Sequence, residues 1–296
     1  MHGGLAQQVV EQAFNALFNG SVWALIAVGY SMVYGVLKLI NFAHGEVFMV
    51  GAFVGYLAVV ELHWPWMAGL GLAMVACPLL ALLIERAAYR PLRAAPRLAA
   101  LITAIGVSLL LQNLAIRIFS AEPKGYPRLL SDSALRLVII GTAIACTVAL
   151  HEVVHRTQVG TAIRAVSHDR EAAALMGINV NRIVAIAFVL GSAAAGVAGV
   201  LYGMYYNVEP LMGFRPGLYA FVAAVLGGIG SVRGAAVGGL ALGILLVAAS
   251  SIAIPLGGEA ALELSKYKTT ITFLVLTAAL LFRPAGLLGR GQVQKL

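Results

Sequence analysis

Apolar residues in this chain come in long continuous runs, and each run lasts about as long as a helix needs to cross a hydrocarbon layer of roughly 30 Å. The runs cover residues 13–37, 41–60, 67–84, 99–119, 134–152, 183–203, 217–230, 234–253 and 267–283. The run 217–230 is short for a full crossing. A transmembrane barrel would instead show alternating segments of about 10 residues with polar lumen faces. The pattern therefore predicts an all-α polytopic membrane protein of about eight or nine transmembrane segments, some short or broken. No stretch of soluble-domain composition is long enough to build a second core, so one transmembrane domain spanning 1–296 is expected.

Composition agrees: 61% of residues are hydrophobic and 11% charged, whereas soluble domains carry about 25% charged residues. The start, MHGGLAQQVVEQAFNALFNG, has neither a basic leader region nor a small-residue cleavage site, so it does not read as a removable signal peptide. Leu5, Val9, Ala13, Phe14 and Leu17 share one helical face and Gln8, Glu11, Gln12 and Asn15 another, which predicts an amphipathic interfacial turn leading into the first span. Cys77 and Cys146 lie inside apolar runs and read as small buried hydrophobes.

Charge in the connections sets an orientation, because Lys and Arg accumulate in short cytoplasmic loops. ERAAYRPLRAAPR sets Arg86, Arg90, Arg93 and Arg97 against Glu85 alone. The connection 153–182 adds Arg156, Arg164, Arg170 and Arg182, and the tail from Arg283 adds Arg290 and Lys295. Those three are expected inside, with Lys38 and Arg233 at the remaining inner turns. AEPKGYPRLLSD, YYNVEPLMGFRP and the stretch from Glu259 to Lys268 balance acids against bases and are expected outside, as is the aromatic Trp64-Pro65-Trp66. The N-terminus then lies outside and the C-terminus inside. The net charge of +8 is a leaflet signal, and with no separate basic domain it does not point to nucleic acid.

Three places carry candidate function. In LKLINFAHGEVFMVGAFVGYLAVV, residues 37–60, a histidine and a glutamate enter an apolar segment. Dehydrating such groups costs up to about 2.5–3.5 kcal/mol at a helix centre, so they normally face a bundle interior or a watery cavity. Asn41, His44, Gly45 and Glu46 are therefore candidates for a substrate pathway or gate. The structural alternative puts them at the cytoplasmic end, Asn41 capping a helix and Glu46 in its first turn. Gly51 and Gly55 form a small-xxx-small pair that lets another backbone approach, either for packing alone or beside that pathway.

The second place is VLGGIGSVRGAAVGGLALG, residues 225–243. Each glycine inside a helix costs about 0.8–1.0 kcal/mol relative to alanine. The glycines thus predict a broken, re-entering backbone, tolerated at membrane depth where protein or a cavity covers it, and Gly227, Gly228, Gly230 and Ser231 are expected to flank the substrate pathway or gate. No Lys-Ser or Lys-Thr follows, so the run is not a phosphate-binding P-loop and the chain lacks its own nucleotide site.

The third place is HRTQVGTAIRAVSHDREAAALMGINVNRI. Residues 159–176 suit a helix, Gly177 is placed to end it in a left-handed cap, and Asn179 and Asn181 follow in the turn. Such a helix fits a soluble partner's groove or lies on the membrane surface. No zinc-protease, nucleophile-elbow or aspartate-pair signature is present, and His44 and Glu46, two apart, point to different helix faces. An enzyme is not indicated.

At these three places, INFAHGEVFMVGAF, DREAAALMGIN and LGGIGSVRGAAVGG, the chain resembles the permease subunits of bacterial ABC importers for branched-chain amino acids, in particular the H-type permeases of the leucine/isoleucine/valine system. The resemblance runs through most of the chain. It implies alternating access in a bacterial inner membrane, with four kinds of partner: lipid, a second homologous permease, two cytoplasmic ATPase subunits and a periplasmic substrate-binding protein. ATP and Mg would be used by the ATPase subunits, and no cofactor is expected on this chain. It also implies that Arg170, Glu171, Ala172, Ala173 and Gly177 belong to the helix that couples to the ATPase, although the I-x-L-P that ends the family pattern is absent after Gly177. Urea- and amide-type permeases share the opening and glycine motifs, and a proton-coupled transporter using His44 and Glu46 is the competing class.

Overall fold

The computed structural model describes residues 5–93, 95–251, 253–257 and 260–289. Glu259, Arg290 and Lys295, which entered the charge argument, lie outside them. Among the described residues eleven α-helices run in the order α1 (Leu5–Leu37), α2 (His44–Tyr56), α3 (Trp66–Ile84), α4 (Arg97–Phe119), α5 (Asp132–Arg156), α6 (Gln158–His168), α7 (Arg170–Leu175), α8 (Val180–Tyr205), α9 (Phe214–Gly227), α10 (Val232–Ser250) and α11 (Lys268–Phe282). Single π turns, Leu57–Glu61 and Glu85–Tyr89, extend α2 and α3. Between α10 and α11 the strands Ala253–Gly257 and Ala260–Glu263 pair antiparallel.

Seven of these helices, α1 to α5, α8 and α10, are long and apolar enough to cross a membrane, so the chain is a multi-pass membrane protein. α9 and α11, with 14 and 15 residues, are shorter. Every expected apolar run corresponds to a helix. One expectation changes at the start: the amphipathic turn is not separate, because α1 is a single helix of 33 residues, about 50 Å at 1.5 Å per residue. Val9 and Phe14 are exposed along with Gln8 and Glu11.

The most buried span is α1, 94% of whose apolar window is inside the protein, against 22% for α4 and α5. It packs on α8, α9 and α10, while α2 lies among α3, α4, α8 and α9. The outward faces of α3, α4 and α5 are apolar, with Leu79, Leu83, Ile102, Leu109 and Ile144 exposed, as lipid-facing helices require. Cys77 is buried on α3 and its thiol donates to the Val47 carbonyl at 3.4 Å; Cys146 is half-buried, and both are free.

The connections sort into two ends. At one, Lys124 and Val208 exchange main-chain hydrogen bonds, and Arg136 donates twice to the Tyr205 hydroxyl. At the other, Arg93 bonds Asn181 and Glu85, Arg170 bonds the end of α1, and Arg233 meets His151 at 2.5 Å. The loops grouped by charge are thus grouped in space.

Candidate functional site

The first break is where the chain leaves α1 and starts α2. Helix rise locates it. Beside the His44 ring is Gly29, about 12 Å back along α1 from Leu37. The Glu46 carboxylate meets Ser108 and Gln112, about 16 Å and 22 Å along α4. Thus α2 begins well inside the bundle, deeper than the structural alternative of a start at the cytoplasmic end would place it. Asn41 (4% exposed), His44 (1%) and Glu46 (1%) are buried by protein on all sides.

Each polar group there has its own arrangement. Oε1 of Glu46 accepts from Ser108 Oγ at 3.0 Å and from Gln112 Nε2 at 2.7 Å. Oε2 accepts no bond and faces Gly213, whose hypothetical Cβ would lie 2.7 Å away. Gly213 precedes α9, so the carboxylate sits where the N-termini of α2 and α9 meet, a place both helix dipoles favour for an anion. Gly45 permits the meeting, since a Cβ there would come within 2.6 Å of the Gly213 carbonyl oxygen.

Asn41 does not cap α2. Ala43 precedes the helix with no side-chain cap, and Asn41 Oδ1 instead accepts from the Tyr89 hydroxyl at 2.7 Å, tying the break to the end of α3. His44 stands edge-on to Tyr30 with ring centroids 4.9 Å apart. Gly51 lies against Gly196 of α8, where a Cβ would be 2.6 Å from the Gly196 Cα. His44 and Glu46 do not bond each other, and among the described residues no three His, Cys, Asp or Glu side chains are grouped to hold a metal.

The second break, Gly227 to Ser231, lies at the end that holds Arg233 and is a tight turn between α9 and α10. Gly228 and Gly230 adopt φ of 111° and 95°, which L side chains rarely take. Gly227 touches the Gly234 backbone, Gly230 N–H donates to Ser31 Oγ at 3.4 Å, and Ser231 caps α10 by accepting from Gly234 N–H at 3.1 Å. The segment after α11 closes over the turn, Leu287 N–H donating to the Leu226 carbonyl at 2.8 Å and Leu288 N–H to Gly227 at 2.9 Å. The backbone breaks as expected, and protein covers it.

The third region is two helices where one was expected. Asp169, in an extended conformation (φ −150°, ψ 117°), stops α6 and caps α7 by accepting from the Glu171 and Ala172 N–H groups. An aspartate side chain competes with helical main-chain bonds, and here it ends one helix and begins the next. Gly177 takes the left-handed cap at φ 83°, and Asn179 caps α8. Ala173 is buried, Glu171 and Ala172 are exposed, and Arg170 turns inward to Val36. Leu175 (89% exposed) and Met176 (83%) project from the tip.

Sequence reasoning missed the residues that receive these groups. Ser108 and Gln112 are an i,i+4 polar pair within an apolar span, and that spacing was the available signal. On α8, Gly191, Gly196 and Gly199 form the surface against which α1 and α2 press; a Cβ at Gly199 would run into the Phe48 carbonyl. The small-residue run GSAAAGVAGVLYG carried that signal.

Comparison with known proteins follows these features along the whole chain. The family model described as branched-chain amino acid transport system, permease component, matches residues 12–282. The high-affinity branched-chain amino acid transport system permease protein BraD of Pseudomonas aeruginosa is 40% identical, over 97% of each chain. LivH of Escherichia coli K12, a permease protein described in the same terms, is 39% identical with the same coverage. Among solved structures, PsaBC from Streptococcus pneumoniae in complex with Fab is similar in fold, with a TM-score of 0.50 at 15% identity over 92% of this chain and 91% of that one. With a match from residue 12 to residue 282 and such identity over nearly its full length, this chain belongs to the family of branched-chain amino acid transport system permease components.

Proposed function

We propose that the chain is the transmembrane subunit of an ATP-driven importer that moves branched-chain, hydrophobic amino acids into the bacterial cytoplasm by alternating access. The observation that carries this reading is the family match over residues 12–282. The subunit pairs with a second homologous permease and receives substrate from a periplasmic binding protein. Two ATPase subunits, which bind ATP and Mg, dock from the cytoplasm. The end with Arg93, Arg170 and Arg233 is cytoplasmic, with the C-terminus there and the N-terminus periplasmic, because short basic loops stay inside.

The exposed tip of α7, Leu175 and Met176 beside Glu171 and Ala172, supports a docking role, since an apolar knob on a capped helix suits a groove in a soluble partner. The junction of α2 and α9, with Glu46, His44 and Asn41 behind it, is the part of the pathway where a polar substrate group would meet helix N-termini. ATP-driven closure of the ATPase pair moves α7, and the broken helices follow.

Reconstitution in proteoliposomes with the partner permease, both ATPases and the binding protein tests this. Leucine uptake should need ATP and the binding protein and survive collapse of the proton gradient. Uptake that needs no ATPase and stops with the gradient would overturn the reading in favour of the proton-coupled class; uptake of urea in place of leucine would reassign the substrate.

A further inference from the structure

A docking helix can drive a bundle only through whatever joins it to the long spans; the short connection after α7 leads into α8, and across 134 residues of sequence one side chain ties α7 to a second span, α1. Arg170 Nε and Nη2 both donate to the Val36 carbonyl oxygen, at 3.1 and 2.8 Å. Val36 is the penultimate residue of α1. The carbonyls of a helix's last turn lack partners within the helix; here Lys38 N–H returns to Tyr34, and the oxygen of Val36 is taken by the guanidinium. A cation at a helix C-terminus is also favoured by the dipole.

The way α7 is built fixes this direction. Asp169 holds the first turn by its two capping bonds, and Ala173, one turn after Arg170, is buried on the same side. Glu171, Leu175 and Met176 are exposed. So α7 is anchored to α1 on one face and open on the other, and the span it grips is the most buried in the protein, in contact with α8, α9 and α10.

We infer that Arg170 is a positioning residue: it caps α1 from the coupling helix, and through that two-pronged bond displacement of α7 passes into α1 and on to the α8, α9 and α10 helices packed around it. It acts towards the bundle, and the tip of α7 acts towards the partner. This rests on the importer reading given above.

The test uses the full transporter in proteoliposomes, with leucine uptake and ATP hydrolysis measured in the same vesicles. Arg170→Ala should lower the uptake obtained per ATP hydrolysed by about tenfold, the scale set by losing a hydrogen bond from a charged donor. Arg170→Lys, which keeps the charge but loses the planar fork, should lower it less and not restore it. A ratio equal to wild type in Arg170→Lys, with uptake and hydrolysis falling together or not at all, would reduce Arg170 to a structural cap and overturn the inference. Should the wild-type complex itself show no ATP-dependent uptake, the importer reading fails first, and the two failures are told apart.

Discussion

At the start of α2 the chain is held by side chains: Glu46 by Ser108 and Gln112, Asn41 by Tyr89. At the turn between α9 and α10 it is held by main chain, with glycines at φ of 111° and 95° and two N–H groups of the C-terminal segment on Leu226 and Gly227. The difference follows from depth. The first break lies inside the bundle, where the polar side chains it brings into the apolar interior must bond polar side chains of neighbouring helices or go unmet. The second lies at the end of the bundle, where close backbone approach is the difficulty and the absence of Cβ atoms resolves it. Both were expected to flank the transport pathway; only the first places ionisable groups in the interior.

The largest effect should come from filling the second break. A Cβ at Gly227 would run into the Gly234 carbonyl, backbone against backbone. Gly227→Leu should therefore prevent α9 and α10 from closing, at a cost beyond the roughly 1–3 kcal/mol of ordinary overpacking, because the opposing atoms are backbone and cannot swing away. Gly71→Leu is the control, since nothing lies within 4 Å of its Cβ position. Yield of monodisperse protein in detergent should collapse for the first and match wild type for the second.

The first break should answer to chemistry before volume. Glu46→Ala leaves the Ser108 hydroxyl buried without its acceptor and Gln112 Nε2 with only Ser108 Oγ at 3.3 Å, costing about 1–3 kcal/mol. Glu46→Gln keeps an acceptor oxygen and should lose less than about 1.5 kcal/mol, the scale of one ordinary hydrogen bond. Thermal unfolding in detergent measures the order. Leucine uptake should follow it, the Gln variant keeping most transport with an unchanged pH profile; a profile that shifts in Glu46→Gln would revive the proton relay.

What the sequence displayed, and what it hid, follows the same divide. Span positions were legible because lipid demands long apolar runs, and the left-handed cap at Gly177 was legible because capping is local; the cap at Asp169, which splits the expected helix in two, and the cap at Asn179 were not read. Depth was not legible either: a helix starting deep in the bundle leaves the same apolar run as one starting near its end, so a cap by Asn41 at the cytoplasmic end and a polar group in the interior stayed open side by side. Nor could Glu46 announce its partners, which come from α4, more than 60 residues on. The glycines of α8 lie within an apolar run like the others, and only the fold shows α2 lying on them.

A smaller effect separates the main-chain clamp from the turn it covers. Leu288→Pro removes the N–H that donates to Gly227 at 2.9 Å and should cost about 0.5–1.5 kcal/mol, one net hydrogen bond. The side chain of Leu288 is exposed, so little packing is lost with it. Hydrogen exchange at the N-terminal turn of α10 should quicken in this variant while the start of α2 keeps its protection.

The smallest effect is expected where the first break imitates the second. The chain enters it through Lys38 at φ 55°, a left-handed conformation that at the α9–α10 turn is given to glycines. For an L side chain that conformation costs about 1–2 kcal/mol, and glycine's extra freedom in the unfolded chain takes back about 0.5–1 kcal/mol. On these two terms Lys38→Gly should therefore raise stability by between about 0 and about 1.5 kcal/mol. Burial, and then the nearby Arg170 charge, hold the Lys38 ammonium below the usual lysine range. A base with its folded pKa depressed is destabilising while protonated, and the penalty fades as pH rises from the folded value towards that of the unfolded chain. Wild type should thus gain stability on going alkaline while the glycine variant, lacking the group, does not. The gap between their unfolding temperatures should narrow from pH 7 to pH 10; a gap constant with pH would mean that backbone conformation alone, without the charge beside Arg170, sets the cost of Lys38.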